Sequence, residues 1–383
     1  MSDYERRPLL LAFRETAGLR DTYGGIEGVV ALQAHHLVPA RPSSTLVIFM
    51  HPMGIMHYLP LPIALAKAGV HVLTAVSRYP NNDSALIMEK VAVDLGRWVA
   101  HARDGLGYAR VVLAGWSGGG ALALFYQAQA TGTRLTATPA GDPPDLGAAT
   151  LPAADAVMLL AAHASRAQVL TEWLDPSVID EADPTHRDPA WNLYDPACPQ
   201  PPYDTGFLTE FAARQVARSA RIDAWAQATL AELRDRAGPH AERGFVVHGT
   251  MAAPCWLDPA IDPNDRVPGR CYLGDPRLIN DAPGGLGRFS TLRSWLSQWS
   301  LARSNADGPR CAATIAVPVL VIGNSADDAC TPSHTTRLFD AVAHPDKTLE
   351  TVAGATHYYA AQPAELAVAT RHVVGWLAAR GLS

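Results

Sequence analysis

The stretch VVLAGWSGGG, residues 111–120, runs from an apolar segment into one serine that is surrounded by glycines. The apolar residues 109–115 predict a buried strand, and the small and then apolar residues after Ser117 predict a helix. Gly115, Ser117 and Gly119 fit the pattern G-x-S-x-G at a strand-to-helix turn. Glycines two positions either side of a serine let the strand and the helix approach each other while the hydroxyl projects. An ordinary loose turn is the alternative, since a pentapeptide alone is weak evidence.

Strand-like and helix-like segments alternate through the first third of the chain. Short β-branched runs predict strands at 29–38, 45–52, 70–76, 109–115 and 154–163. Between the third and fourth of these, Asp83 and Ser84 are capping residues for a helix whose apolar positions recur through Ala102. Strands that alternate with helices indicate an α/β fold with a mostly parallel, doubly wound sheet.

The middle of the chain has a different composition. From about residue 165 to about residue 310 it is rich in Pro, Asp, Trp and Arg. Helices are predicted near 208–236, 288–302, 333–343 and 363–380, and further strands at 317–323 and 347–354. We therefore predict a sheet-based core formed by residues 1–164 and 311–383, with residues 165–310 inserted between two core strands as a cap.

The overall composition excludes several classes of protein. The 383 residues are 48% hydrophobic and 18% charged, which is typical of a globular protein and not of a disordered one. A net charge of −6 without a basic stripe argues against a nucleic-acid partner. No apolar run approaches the length of a membrane span, and residues 1–16 lack the features of a secretion signal. We expect a soluble, cytoplasmic protein, and the sequence leaves open whether it forms a homo-oligomer.

The sequence predicts neither a metal nor a cofactor. Its five cysteines are widely spaced without a CxxC pair, which argues against a zinc site and a disulfide framework. A single Cys255–Cys271 bridge is the alternative for an exported protein. Asp258, Asp262 and Asp265 lack the spacing and the glycine of a calcium loop. Nucleotide binding is disfavoured because no G-x-G-x-x-G follows a strand and no lysine follows the glycines around the serine.

Two turns near the C-terminus carry the groups that a nucleophilic serine needs. A serine hydroxyl is a poor nucleophile at neutral pH, so a base must take its proton and a carboxylate must fix the tautomer of that base. The turn after the strand VPVLVIG holds Asp327 and Asp328, and the turn after the next strand holds His357. Both turns follow strands at the edge where ligands bind in open α/β sheets. Other histidines also follow predicted strands, but His357 is downstream of the acid, in the order Ser, acid, His.

These three motifs, in this order and strand context, resemble the α/β-hydrolase family over residues 25–164 and 311–383. The resemblance implies that Ser117 is the nucleophile and that His357 is its general base. It implies no cofactor and no metal. The inserted segment contributes nothing to the resemblance, because the cap of this family varies freely.

The acid of this triad has two candidates. Aligning SADDACTP with the family's Gly-x-x-Asp turn favours Asp327 after a one-residue insertion. Counting back from Pro332 favours Asp328. We prefer Asp327, and a merely solvated acidic turn is the alternative.

The family stabilises the developing oxyanion with two backbone N–H groups. The first comes from the residue after the serine, which is Gly118 here. The second comes from the turn after the third strand, where a His-Gly dipeptide is usual and this chain has HPMG at residues 51–54. Because Pro52 has no N–H, the resemblance points to Met53 as the second donor.

A substrate pocket is predicted beside this turn. Trp116, Met56, His57 and Tyr58 are candidates for its lining, although such residues more often belong to the core. The inserted segment adds the tryptophans Trp173, Trp191, Trp225, Trp256, Trp295 and Trp299. We interpret the set as weak evidence for a hydrophobic or aromatic substrate under a lid.

The function that the sequence favours is a serine hydrolase that cleaves a small hydrophobic carboxylic ester or lactone through an acyl-enzyme intermediate. Two alternatives use the same triad, namely hydrolysis of a carbon–carbon bond and acyl transfer. A third alternative is an inactive, ligand-binding relative that has kept the fold.

Overall fold

The computed structural model describes residues 3–15 and 28–383. The strands in that part of the chain are β1 (Tyr4–Arg14), β2 (Val29–Pro39), β3 (Thr45–Met50), β4 (Val72–Ala75), β5 (Arg110–Ser117), β6 (Ala156–Ala162), β7 (Gly244–Val246), β8 (Phe289–Thr291), β9 (Val319–Asn324) and β10 (Lys347–Val352). The α-helices are α1 (Pro60–Lys67), α2 (Met88–Ala100), α3 (Gly119–Thr131), α4 (Arg166–Trp173), α5 (Thr205–Ala237), α6 (Pro254–Leu257), α7 (Pro276–Ile279), α8 (Leu292–Ser294), α9 (Gly308–Ala312), α10 (Pro332–Ala341) and α11 (Pro363–Ala379). Short 3-10 turns occur at Met56–Tyr58 and Pro189–Trp191, and π turns at His101–Gly105 and Trp295–Trp299.

Eight of these strands form one sheet in the order β1-β2-β4-β3-β5-β6-β9-β10. β2 is antiparallel to its neighbours β1 and β4, and the pairings from β4 across to β10 are parallel. β3, β6 and β9 are buried at every position, as expected for parallel strands covered on both faces. The mostly parallel, doubly wound sheet that the sequence predicts is therefore confirmed.

Helices cover both faces of this sheet. Successive side chains of a strand point to opposite faces, and β3 shows the division. Its Leu46, Ile48 and Met50 belong to the apolar cluster that includes α2, α3 and α10, whereas Val47 and Phe49 belong to the cluster that includes α1 and α11. Because β5, β9 and β10 run parallel in this sheet, the turns that follow them lie at one shared edge.

The long segment between the adjacent strands β6 and β9 has an apolar cluster of its own. It contains α4 to α9 and the two-stranded antiparallel sheet of β7 and β8. Its longest helix, α5, has 33 residues, and the Asp204 side chain caps its start by accepting the N–H of Phe207 at 2.8 Å. Ile222, Ala226 and Leu230 of α5 pack in that apolar cluster. The segment is thus folded around its own buried residues.

The start of α2 differs from the sequence prediction. Asp83 and Ser84 were expected to cap this helix, but it begins at Met88. The Asp83 carboxylate instead forms an ion pair with Arg166, and the Ser84 carbonyl accepts the N–H of Thr291 at 2.8 Å. Both capping candidates are therefore used in contacts with the inserted segment, which local sequence patterns do not report.

Two other segments also differ from expectation. Residues 4–14 form β1, which no strand prediction covered. The predicted helix at 288–302 begins as the short strand β8, which pairs with β7 more than forty residues earlier. Only then does the chain turn into α8 and the π turn at Trp295–Trp299. Pairing with a distant strand overrides the local helical pattern in this stretch.

The cysteines form no cross-links in this fold. All five are free thiols, so the alternative bridge between Cys255 and Cys271 is not formed. In residues 3–15 and 28–383, none of the helices is both long and apolar enough to cross a membrane.

A buried carboxyl group joins α2 to the inserted segment. Glu89 has no exposed surface, and it accepts hydrogen bonds from Ser297 Oγ at 2.7 Å and from Asn305 Nδ2 at 2.9 Å. Burial raises the pKa of the Glu89 carboxyl, and these two hydrogen bonds act in the opposite direction. The folded protein therefore holds the Glu89 proton more tightly than the unfolded chain does.

We expect Glu89→Gln to gain stability relative to the wild type as the pH rises from about 4 to about 8. Because the pKa of Glu89 is raised by folding, its contribution to stability is present below the unfolded pKa and is lost as the pH rises toward the folded value. Glutamine has no such proton to lose. The gain is about 1.4 kcal/mol for each unit by which folding raises the pKa, and urea unfolding at both pH values measures it. Glu232→Gln, at an exposed position of α5, should follow the wild type. A pH-independent difference for Glu89→Gln would contradict the expectation.

Candidate active site

Ser117 is the last residue of β5 and is followed by Gly118, which precedes α3. Its φ is +53°, a left-handed backbone that costs a non-glycine residue about 1–3 kcal/mol. The pairing of β5 with β6 also shifts register between Trp116 and Ser117. This sharp turn presents Ser117 to a cavity at the C-terminal edge of the sheet, as the pattern G-x-S-x-G predicts.

The glycines around Ser117 are required by close packing. A Cβ on Gly115 would lie 2.3 Å from the carbonyl oxygen of Gly119, and a Cβ on Gly119 would lie 2.5 Å from the carbonyl oxygen of Met50. A Cβ on Gly120 would lie 2.5 Å from the Cβ of Ala162. Two of these contacts are with backbone, which cannot rotate away. The turn is therefore tightly packed, and the alternative of a loose turn does not describe it.

Gly115→Ala is expected to lower the free energy of unfolding by about 3 kcal/mol, because the added methyl group has no space. Gly375→Ala is the matched control, since no atom beyond its chain neighbours and the adjacent helix backbone lies within 4 Å of a Cβ built at that position of α11. In a helix interior this control should raise stability by about 0.5–1 kcal/mol. Urea unfolding of both variants measures the contrast, and a Gly115→Ala protein as stable as the wild type would show that the turn can relax.

An acid–base pair lies in the two later turns. His357 Nδ1 and Asp327 Oδ2 are 2.7 Å apart, and both side chains are buried. The other carboxylate oxygen, Asp327 Oδ1, accepts the N–H groups of Ala329 and Cys330 at 2.8 Å each. The carboxylate is thus held by its own turn and orients the imidazole, so that Nε2 of His357 is the nitrogen left for proton transfer.

Asp328 makes a different set of contacts. Its backbone carbonyl accepts the indole N–H of Trp256 at 2.7 Å. Burial, followed by the charge of Asp327, raises the pKa of the Asp328 carboxyl. Of the two candidate acids, the structure brings Asp327 and not Asp328 into hydrogen-bond contact with His357.

Ser117 and His357 line one cavity of about 540 Å³. Among the described residues their side chains make no direct hydrogen bond, and catalytic hydrogen bonds are often long until a substrate is bound. The cavity walls combine residues from the sheet edge with residues of the inserted segment, namely Met53, Met56, Trp116, Val169, Trp173, Tyr272 and Leu286. Of the six tryptophans of the inserted segment that the sequence suggested, Trp173 is the one that lines this cavity.

The four predicted pocket residues divide into two pairs. Trp116 and Met56 line the cavity, and the Trp116 indole N–H donates to the carbonyl of His357 at 3.2 Å. His57 instead contacts Thr74 Oγ1 at 2.9 Å, and Tyr58 is 76% exposed. Contrary to the prediction, His57 and Tyr58 are not among the residues that line this cavity. Residues 56–58 form one 3-10 turn, which points successive side chains in different directions.

The predicted oxyanion donors come from two different turns, the one after β5 and the one after β3. Gly118 directly follows the serine at the start of α3, and Met53 lines the same cavity. The backbone N–H of Met53 donates to His51 Nδ1 at 3.2 Å, as does that of Gly54 at 2.8 Å. The turn after β3 is therefore organised around the His51 imidazole.

Sequence reasoning missed Cys330 in this site. Its thiol lies with the ligating atoms of Asp327 and His357, all within 4.8 Å of one another. Burial raises the pKa of Cys330 well above its usual range, and hydrogen bonding with Ser117 opposes this shift. Such a grouping could bind a metal. However, His357 and Asp327 are already hydrogen-bonded to each other, and a protonated thiol is a poor ligand. The position of Cys330, three residues after Asp327 in the same turn, was the available signal.

Comparisons with known proteins bear on the fold. No family model and no curated protein matches this sequence. Among solved structures, it is similar to a brefeldin A esterase, described as a bacterial homologue of human hormone sensitive lipase, with 16% identity, coverage of 99% of this chain and 78% of that one, and a TM-score of 0.46. It is also similar to Est1E from Butyrivibrio proteoclasticus, with 14% identity, coverage of 94% and 99%, and a TM-score of 0.47.

A third similar structure is that of DcsB in complex with its substrate analogue. It has 10% identity to this chain, covers 97% of it and 98% of its own length, and superposes with a TM-score of 0.51. At such identities a structural likeness informs about the fold alone. Together with the strand order and the placement of Ser117 at the turn after β5, it shows that this chain has the α/β-hydrolase fold.

Proposed function

We propose that this protein is a serine hydrolase that cleaves a carboxylic ester or lactone through an acyl-enzyme intermediate. One observation carries the proposal. Ser117, in a left-handed turn between strand and helix, shares a cavity with His357. The His357 imidazole is hydrogen-bonded to the buried carboxylate of Asp327. This is the arrangement of nucleophile, base and orienting acid that acyl transfer needs.

The proposed reaction has two halves. His357 Nε2 takes the hydroxyl proton as Ser117 Oγ bonds to the substrate carbonyl carbon, and the carbonyl electron pair moves to its oxygen. Collapse of this intermediate expels the alcohol, which receives the proton from His357. Water then attacks the acyl-enzyme by the same route and releases the acid. The N–H of Gly118 is one donor for the negative oxygen, and the turn at residues 51–54 supplies the other.

The cavity walls support a substrate with a hydrophobic or aromatic part. Trp116 and Met56 form part of the wall on the sheet side, and Val169, Trp173 and Leu286 form part of it on the side of the inserted segment. Apolar walls with a few converging polar groups are typical of small-molecule sites. We also propose that residues 165–310 act as a cap, because Val169, Trp173 and Leu286 come from that segment.

Labelling with a fluorophosphonate probe tests the proposal directly. We expect the probe to modify Ser117 in the folded protein, and peptide mass spectrometry locates the adduct. A panel of esters, lactones and amides, with and without added alcohol or amine acceptors, then identifies the acyl group and its acceptor. A folded protein whose Ser117 is not labelled, and which hydrolyses no member of the panel, would contradict the proposed function.

A further inference from the structure

His51, directly after β3, has a defined tautomer. Its Nδ1 accepts the backbone N–H groups of Gly54 at 2.8 Å and Met53 at 3.2 Å. A ring nitrogen that accepts hydrogen bonds from two amides carries no proton, so the proton of the neutral ring is on Nε2. The turn after β3 therefore presents an Nε2–H donor.

The ring of His51 is also neutral. Burial, followed by the nearby charges of Arg166 and His357, lowers the pKa of His51 to about 3. At neutral pH the imidazole can therefore donate a hydrogen bond without carrying a charge into the cavity. Neutral imidazoles can act in this way as electrophiles that polarise a carbonyl group.

The Nε2 atom borders the nucleophile. It lies 2.8 Å from the point that a Cβ on Gly118 would occupy, and His51 lines the same cavity as Ser117. Among the described residues, this Nε2–H makes no hydrogen bond. A donor that makes no hydrogen bond among the described residues therefore lies next to Gly118, whose own N–H is the first oxyanion donor.

We propose that the Nε2–H of His51 is the second oxyanion donor of this site. The inference rests on the proposed serine hydrolase function. As Ser117 Oγ bonds to the carbonyl carbon and the electron pair moves to oxygen, that oxygen accepts from Gly118 N–H and His51 Nε2–H, and His51 transfers no proton. The N–H of Met53, together with that of Gly54, holds the imidazole in place. This assigns a role to HPMG, in which Pro52 cannot supply an N–H.

His163 is the other histidine near this point. Its Nε2 lies 3.4 Å from the same Cβ position on Gly118. However, His163 Nδ1 is buried without a hydrogen-bond partner, so no contact fixes which ring nitrogen carries the proton. Two amide hydrogen bonds orient His51, which makes it the better donor.

Two substitutions separate the two nitrogens of His51. His51→Asn keeps an acceptor near Nδ1 and removes the donor at Nε2, whereas His51→Gln carries an amide N–H near the Nε2 position. We expect His51→Asn to lower kcat by about 10²- to 10³-fold with KM nearly unchanged, and His51→Gln to recover part of the loss. His36→Gln, which removes a buried histidine bonded to Tyr108 in another part of the sheet, is the control and should stay near wild-type activity.

The outcomes distinguish this inference from the proposed function. If wild-type Ser117 reacts with a fluorophosphonate but His51→Asn keeps wild-type kcat, the His51 inference is wrong and the serine hydrolase proposal stands. If wild-type Ser117 is not labelled and no ester is cleaved, the proposed function is wrong, and the His51 inference that rests on it is wrong as well. A loss in His51→Asn with partial recovery in His51→Gln supports the inference.

A measurement on the wild type covers the case in which the variants do not fold. In protein labelled with ¹⁵N-histidine, a trifluoromethyl ketone that forms a hemiketal with Ser117 should shift the His51 Nε2–H proton downfield and slow its exchange with water. A His51 Nε2–H resonance that the hemiketal leaves unmoved would overturn the inference.

Discussion

Ser117→Ala is expected to lower kcat on the best p-nitrophenyl ester by about 10⁴- to 10⁶-fold. The variant has no Oγ to attack the carbonyl, so the acyl-enzyme cannot form. The cavity walls do not depend on this hydroxyl, and KM should therefore change by less than about threefold. Steady-state kinetics, with fluorophosphonate labelling lost in parallel, measures the effect.

The control for this variant is a serine far from the cavity. Ser43 precedes β3 at the opposite end of the strand, and its hydroxyl donates to the Thr45 carbonyl at 3.1 Å. Ser43→Ala should keep wild-type kcat and should still be labelled at Ser117. A Ser117→Ala protein that hydrolyses the ester at a rate comparable to the wild type would show that another group is the nucleophile.

Asp327→Asn is expected to lower kcat by about 10⁴-fold, because an amide in place of the carboxylate favours the wrong tautomer of the base. In this protein the carboxylate contacts His357 Nδ1 at 2.7 Å. An asparagine of nearly the same shape keeps the packing but can present its NH₂ group to Nδ1. The proton then moves to Nε2, and His357 can no longer accept the hydroxyl proton from Ser117.

The adjacent aspartate provides the matched comparison. Asp328→Asn should lower kcat by less than about fivefold, because in the structure the Asp328 carbonyl, and not its carboxyl group, makes the contact with Trp256. Thermal unfolding of both variants separates folding effects from catalytic ones. Equal losses in the two variants would contradict the assignment of Asp327 as the triad acid.

Sequence patterns located most of the core strands. The predicted strands at 29–38, 109–115 and 317–323 overlap β2, β5 and β9 closely. Each of the two buried parallel strands among them is a short apolar run with turn residues at its ends, and such runs can be seen without knowing their partners. The order of the three motifs then placed Ser117, the acid turn and His357 at one edge, because parallel strands share their C-terminal ends.

The features that the sequence did not predict depend on contacts between residues far apart in the chain. Asp327 and Asp328 are neighbours in sequence, and only the folded turn directs one carboxylate toward His357. The prediction that Asp83 caps the start of α2 was wrong, because its carboxylate forms an ion pair with Arg166 of the inserted segment. The role of Met53 as an oxyanion donor stays an alternative to our proposal for His51, because in this structure the Met53 N–H donates to His51 Nδ1.

The amino-acid sequence by itself determined the α/β class, the strand-to-helix turn at Ser117 and the order of the three reactive groups. These depend on local apolar periodicity and on glycines that lack a Cβ. The tertiary structure alone decided that Asp327 contacts His357, that the glycines beside Ser117 are tightly packed, and that the His51 ring faces Gly118. The Gly115–Gly119 contact is local, but the other contacts join atoms far apart in the chain, which only the packing of the sheet, its helices and the inserted segment brings together.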